Sequence, residues 1–255
     1  MTTTAPPLTL FGSLRWDVVR RKFPPAPRRV LEVGCGQGAV GVRLAAAGHD
    51  YTGVELDGAS ADVAAARLTA AGLPGRVVHG SVDELDRSAA GPGSSDGGYD
   101  VVCAFEVLEH LEDDAGALAS WVELLRPGGL VLVSTPAWQA RYGPMDAAVG
   151  HHRRYEPAQM RALLAGAGLA DVGGRLYGAP LGYALEAVRN QVARRRLDDR
   201  TTTAERTARS GRLFQPSSAL QGVATVAATW PFRVVQRALP QRGPALVAWG
   251  TRPAA

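Results

Sequence analysis

Val30-Leu31-Glu32-Val33-Gly34-Cys35-Gly36-Gln37-Gly38 is the stretch from which the rest of this 255-residue chain is read. Apolar residues at 30, 31 and 33 suit a strand covered on both faces, as in a parallel sheet. Glycines at 34, 36 and 38 let the backbone turn sharply and leave no side chain between it and a ligand. Ala39 to Gly48 follows as a helix, with Val40 and Leu44 on one face and Gly48 as its stop. Strand, glycine turn and helix start make the nucleotide-binding corner of a doubly wound, Rossmann-like α/β fold.

The glycines alone leave the nucleotide open. Gly34, Gly36 and Ala39 satisfy the dinucleotide spacing G-x-G-x-x-G/A, and Glu55 lies where that fingerprint expects its ribose acid. Glu32 favours a different ligand. A carboxylate two residues before the first glycine repels a pyrophosphate but suits an ammonium or sulfonium. With that acid the stretch resembles motif I of the class I S-adenosylmethionine-dependent methyltransferases, E/D-x-G-x-G-x-G.

The resemblance continues in register. Tyr99-Asp100-Val101-Val102, Glu106-Val107-Leu108-Glu109-His110, Leu125-Arg126-Pro127-Gly128-Gly129 and Ser134-Thr135-Pro136 follow in the family's order and spacing. Together they cover residues 28–178. The resemblance implies a seven-stranded sheet whose last strand is antiparallel, and Ala245 to Gly250 is the best candidate for it. It also implies that Glu32 holds the cofactor's ammonium, that Gly34, Cys35, Gly36 and Gly38 shape the turn beneath it, and that Glu55 takes the ribose. Ser81 and Val82 are expected to line the adenine, and Phe105 to pack near the cofactor.

The remaining elements follow from periodicity and stops. Leu8 to Phe23 reads as a helix ended by Pro24-Pro25, Ser60 to Ala71 as a second, and Leu111 to Arg126 as a third with Leu118, Val122 and Leu125 buried. Tyr51–Glu55, Arg76–Gly80, Tyr99–Phe105, Leu130–Ser134 and Asp171–Tyr177 read as strands, and Pro157 opens a helix ending at Gly168. Between the last two strands about 65 residues intervene. Leu181, Leu185, Val188 and Val192 fall there at helical spacing, Asp198–Gly211 is polar, and Ser218–Leu239 is amphipathic but interrupted by Trp230-Pro231. The expected organisation is an N-terminal helical segment (1–27), the core (28–178), a helical Arg-rich cap insertion (179–243) and the final strand (244–255).

Charge is uneven along the chain. The net charge is +4, yet residues 175–255 alone carry 13 arginines against four acids. An anionic acceptor, or an anionic membrane surface displaying one, is one reading of that cap; a solvated helix face and a dimerisation element are the others. Two cysteines without a paired framework, and no signal-peptide pattern, lead us to expect a cytoplasmic protein. No apolar run reaches the ~18 residues of a membrane span.

Methyl transfer to a hydroxyl needs a base, and histidine suits neutral pH. His110 follows the fourth strand, and His151 and His152 sit on the long connection after the fifth, facing the same pocket in this fold. A divalent ion on Glu106, Glu109, His110 and a loop histidine is the competing idea. That pattern resembles the metal site of ubiquinone-pathway O-methyltransferases, with His152 ahead of Tyr155 as the loop ligand. The metal-free base is favoured. The reading is therefore an S-adenosyl-L-methionine-dependent methyltransferase acting on a small-molecule, glycan or lipid-linked hydroxyl. An RNA-modifying enzyme using the cap and a nicotinamide oxidoreductase remain the alternatives; the cap lacks the aromatic-interleaved basic stripe that stacks bases.

Overall fold

The computed structural model of the protein describes residues 5–85, 98–196 and 219–254. Most of the Gly91–Gly98 loop and all of Asp198–Gly211 therefore lie outside the described residues. The apolar run at 30–33 forms β1 (Arg29–Val33), and the following strands are β2 (Asp50–Glu55), β3 (Arg76–His79), β4 (Tyr99–Phe105), β5 (Leu125–Pro136), β6 (Ala170–Tyr177) and β7 (Ala245–Thr251). They make one sheet in the order β3-β2-β1-β4-β5-β7-β6. The strands up to β5 are parallel, and β7 runs antiparallel between β5 and β6.

Both faces of the central strands are buried, as their near-continuous apolar runs require. Leu31, Val33, Val102, Ala104, Val131 and Val133 belong to one core, with Leu118, Trp121 and Val122 of α4 (Asp114–Glu123) and Met160 and Leu164 of α6 (Pro157–Gly166). Val30, Val101, Cys103, Phe105 and Leu132 alternate onto the other face. There they meet Leu14 and Val18 of α1 (Leu10–Val19) and Val40, Val42 and Leu44 of α2 (Ala39–Ala46). This is the doubly wound arrangement. Its connection runs outward through β2, α3 (Gly58–Ala70) and β3, then returns to β4 on the other side of β1. The strand order reverses between β1 and β4, which is where such sheets open a ligand crevice at their carboxyl ends.

Several boundaries differ from the sequence reading, for local reasons. α1 starts at Leu10 because the Thr9 hydroxyl accepts from Gly12 N, and α4 starts at Asp114 because Asp113 accepts from Gly116 N. A short helix, α5 (Pro144–Val149), stands in the connection expected to be plain loop. The insertion between β6 and β7, expected to form a cap, contains α7 (Leu181–Arg196) and α8 (Ala219–Ala238). The expected break at Trp230-Pro231 does not occur: α8 runs through Pro231. Proline removes one helix donor and crowds the preceding turn. In that turn Thr229 Oγ1 donates to the carbonyls of Thr225 and Val226, and Arg233 donates to Val226 as well. The helix buries polar as well as apolar residues. Thr229 and Gln236 are fully buried, whereas Val226, Val234, Val235 and Trp230 (63% exposed) look outward. Val188 of α7 is exposed too. No helix among the described residues is long and apolar enough to cross a membrane.

α8 docks on α1 through one buried acid. Asp17 accepts from Arg237 Nε (3.0 Å) and Nη2 (2.6 Å), and Gln236 Nε2 reaches Asp17 Oδ2 (3.3 Å) and the Leu14 carbonyl (3.0 Å). Burial pushes the Asp17 carboxyl up, but the hydrogen bonds from Arg237, Gln236 and Arg20 outweigh it and bring its pKa to about 2. A depressed folded pKa adds stability above the unfolded value of 3.8, which is lost as pH falls from about 4 toward 2. Asp17→Ala should cost roughly 2–3 kcal/mol in denaturant melts, less than a fully buried pair because Arg237 stays 41% exposed. Its melting temperature should also respond less to acid over that window than the wild type's; an unchanged acid response would dismiss the clamp.

Candidate active site

The glycine turn closes as β1 ends. Gly34, Gly36 and Gly38 all take positive φ (66°, 54° and 73°). A Cβ on Gly34 would lie 2.6 Å from Val107 Cγ2 and one on Gly38 2.9 Å from Ala64 Cβ, so both glycines are packed against neighbouring elements. Gly36 differs: nothing stands within 4 Å of where its Cβ would be. Its amide donates to Glu55 Oε2 at 2.8 Å, and Glu55 Oε1 accepts from Asp57 N at 2.9 Å. The end of β2 is thereby tied to the turn, with the carboxylate half-buried beside it. Leu56, the next residue, is 72% exposed, an apolar shelf at the crevice that the sequence reading did not single out. Ser81 and Val82 follow β3 along the same sheet edge and are half-buried, with Ser81 capping the turn Val82–Glu84.

Glu32 lies beneath this turn, 3% exposed, and its Oε2 accepts from the Tyr51 hydroxyl at 2.7 Å. Burial raises its pKa to about 7, against the opposing hydrogen bond from Tyr51. Cys35 offers only backbone to the crevice. Its amide donates to the Val54 carbonyl, its thiol is buried against Gly53, and burial pushes that thiol's pKa up. Phe105 ends β4, buried, with the Arg15 guanidinium 5.5 Å from its ring centroid.

Beyond β4 the chain enters strain. Glu106 has φ of 61°, unusual for a residue with a side chain, and its Oε1 accepts from Ser134 Oγ (2.9 Å) with Arg15 Nη1 at 3.4 Å. The turn Leu108–His110 follows. Glu109 is fully buried, and among the described residues neither of its carboxyl oxygens has a hydrogen-bond partner. Burial, then the nearby Glu106 charge, drives its pKa far above the carboxylate range. The His110 and His151 rings meet edge to face, centroids 4.6 Å apart. Burial and then His151 lower the His110 pKa to about 4, so that ring is neutral near pH 7.

His151 is the residue that the surroundings orient. Its Nδ1 lies 2.8 Å from Asp146 Oδ1 and its Nε2 3.8 Å from Glu109 Oε1. A carboxylate only accepts, so Nδ1 carries a proton, and in the neutral form of the ring the lone pair is then on Nε2. Asp146 is almost fully buried; burial raises its pKa, but hydrogen bonds from His151 and Arg154 bring it to about 2. Tyr155, whose hydroxyl donates to Asp114 Oδ2 (2.7 Å) and the Leu108 carbonyl (3.2 Å), ties this connection to the Glu109 turn. His152 takes a different place from its neighbour. Its backbone N donates to the Glu109 carbonyl at 2.7 Å while the residue is exposed. The structure therefore brings His110 and His151 together with Glu109, and not His152 or Glu106. Asp146 and Arg154 went unnoticed in the sequence because an ion pair eight residues apart has no spacing signature.

The model of a methyltransferase-domain family matches residues 11–173, more than half of the chain. The chain belongs to that methyltransferase family. Its core is that of the class I S-adenosylmethionine-dependent methyltransferases. That sets aside the nicotinamide oxidoreductase. A ubiquinone biosynthesis O-methyltransferase of Aromatoleum aromaticum is 36% identical over 129 residues, 51% of this chain and 53% of that protein. One of Xanthomonas axonopodis pv. citri is 32% identical over 189 residues, 67% of this chain and 75% of that protein. The chain thus spans about half the length of the first of these relatives and three quarters of the second. An S-adenosylmethionine-dependent methyltransferase of Mesorhizobium loti shares the fold, with a TM-score of 0.55 at 17% identity over 95% of this chain and all of that one.

Proposed function

We propose that this methyltransferase transfers the methyl group to oxygen, on a small-molecule, glycan or lipid-linked hydroxyl, with His151 as the general base. The observation that carries the reading is His151 held by buried Asp146 with its Nε2 lone pair free of that bond, at the crevice edge where β4 and β5 end. The methyl of a sulfonium is already activated, so the protein's task is alignment and removal of the hydroxyl proton. In this reading Glu32 supplies the charge under the cofactor's ammonium, Gly34, Cys35, Gly36 and Gly38 pass the backbone close to it, and Glu55 holds the ribose. Ser81 and Val82 line the adenine, with Leu56 as a shelf, and Phe105 walls the site. The names of the ubiquinone-pathway relatives support oxygen as the methylated atom. The arginine-rich cap faces an anionic part of the acceptor, in a cytoplasmic protein, and a peripheral membrane contact fits a lipid-linked acceptor.

A second reading is favoured by Glu109. A fully buried carboxyl without a donor, whose ligand atom lies within 4.8 Å of those of His110 and His151, suits a divalent ion. Glu109, His110 and His151 would hold it, and bound there it would polarise the acceptor hydroxyl. Glu106, expected as a fourth ligand, is engaged by Ser134 and Arg15 instead.

A methyl-labelled S-adenosylmethionine screen across phenolics, sugar nucleotides, lipid-linked glycans and tRNA tests the proposal. Label should appear on a hydroxyl of one of the first three classes. Label confined to tRNA, with binding that weakens steeply with salt, would replace this reading by the RNA-modifying one.

A further inference from the structure

The cap helix α7 is wired to the histidine of the site by a row of buried charges. Glu186, near the middle of α7, lies 3.3 Å from Arg154 Nη1 and 3.2 Å from Arg141 Nη2. The other edge of the Arg154 guanidinium grips Asp146 with two bonds, Nε to Oδ1 at 2.9 Å and Nη2 to Oδ2 at 2.7 Å. Asp146 Oδ1 then meets His151 Nδ1. Arg154 is only 5% exposed and Glu186 only 12%, so water offers neither an easy substitute partner.

A guanidinium is planar, with its donors in a fixed fork; holding one edge fixes the direction of the other. Glu186 on Nη1 therefore sets the plane in which Arg154 presents Nε and Nη2 to Asp146. Arg154 lies between two acids, Glu186 and Asp146, with Arg189 of α7 also in their field; without Glu186 the Arg154 guanidinium loses the partner on its Nη1 edge and is free to turn in its grip on Asp146. We propose that Glu186 is a positioning residue for methyl transfer, holding through Arg154 and Asp146 the His151 ring in the Nδ1-protonated form. The inference rests on the reading of His151 as the base. It gives the cap a part in the chemistry, beyond meeting the acceptor.

The docking of α5 on α7 does not depend on this row. Met145 and Val149 of α5 pack with Ala193 of α7, and Met145 N donates to Asn190 Oδ1 at 3.0 Å. Removal of the Glu186 carboxylate should thus leave the helices in place.

The test is 15N NMR of the imidazoles in the full chain after EDTA treatment, with His151 identified among the five histidines by its loss in His151→Gln. In the wild type, His151 should show one protonated and one unprotonated nitrogen, widely separated. In Glu186→Ala the two signals should converge as the ring exchanges between tautomers, whereas Glu186→Gln, which keeps an acceptor for Nη1, should move them less. Glu186→Leu, close in size, replaces the alanine variant should that one fail to fold. Separated signals that persist in Glu186→Ala or Glu186→Leu, even with a lowered melting temperature, would overturn the positioning role alone. Converged signals already in the wild type would overturn the base assignment, and the positioning role with it.

Discussion

His151→Gln should lower kcat for methyl transfer by roughly 10²–10⁴-fold, the span of a lost general base, while His152→Gln should stay within about twofold. The contrast follows from geometry. His151 is clamped by Asp146 at 2.8 Å and its ring meets His110, whereas the contact of His152 with Glu109 is made by backbone N. Single-turnover rates with saturating cofactor and the acceptor found by screening measure it. EDTA should leave the wild-type rate unchanged. Loss of activity in EDTA and its return with Mg²⁺ or Mn²⁺ would move the assignment to the divalent ion on Glu109, His110 and His151, and Glu109→Ala would then be as damaging as the histidine change. A His110 pKa near 4 means that ring does not titrate between pH 6 and 8, so a pH profile over that range does not report on it.

Glu32→Gln should weaken S-adenosylhomocysteine binding by roughly 2–3 kcal/mol, the scale of a charge-assisted contact to a buried group, and yet stabilise the free protein at pH 8. Both effects come from the same burial. With its pKa raised from 4.5 to about 7, free Glu32 is protonated below neutrality. The penalty for its charged form is absent below about 4.5, grows as pH rises to about 7, and above that amounts to of order 3 kcal/mol. An ammonium above the turn reverses the balance by favouring the carboxylate. Wild-type affinity should therefore rise with pH through about 7, with a proton released on binding below it, and the glutamine variant should lose that slope. Calorimetry at pH 6, 7 and 8 in buffers of differing ionisation enthalpy reads all three quantities. Equal affinity of variant and wild type would remove Glu32 from the cofactor site.

The parts of the fold that were legible in the sequence are those where one local pattern has one physical solution. Val30 to Gly38 could only be a covered strand entering a turn of positive φ, and Tyr99–Phe105 was placed to the residue. Ala245 to Gly250 was recognisable because a buried apolar run needs neighbours on both sides, which β5 and β6 supply. Pro231 was expected to break the helix, but α8 runs through it, held by tertiary docking on α1 that no local propensity records. The site was half legible. Histidines after β4 and β5 were expected together, but His151 and His152 are adjacent in sequence, and which ring turns inward depends on Asp146. Asp146 is in turn held by Arg154, which pairs with Glu186, an acid 32 residues further along the sequence, and only the folded chain shows that pairing.

The place of β7 has a consequence for how the molecule can be divided. β6 touches the sheet only through β7, and β7 enters the chain after the whole cap. A backbone cut between α7 and α8 therefore does not separate a core from an appendage. It yields two complementary fragments: one carries the glycine turn and the histidines but an open sheet edge, the other brings α8 and the missing strand, with Arg237 reaching for Asp17. Mixed, they would form a split enzyme whose reassembly is reported by its own methyl transfer.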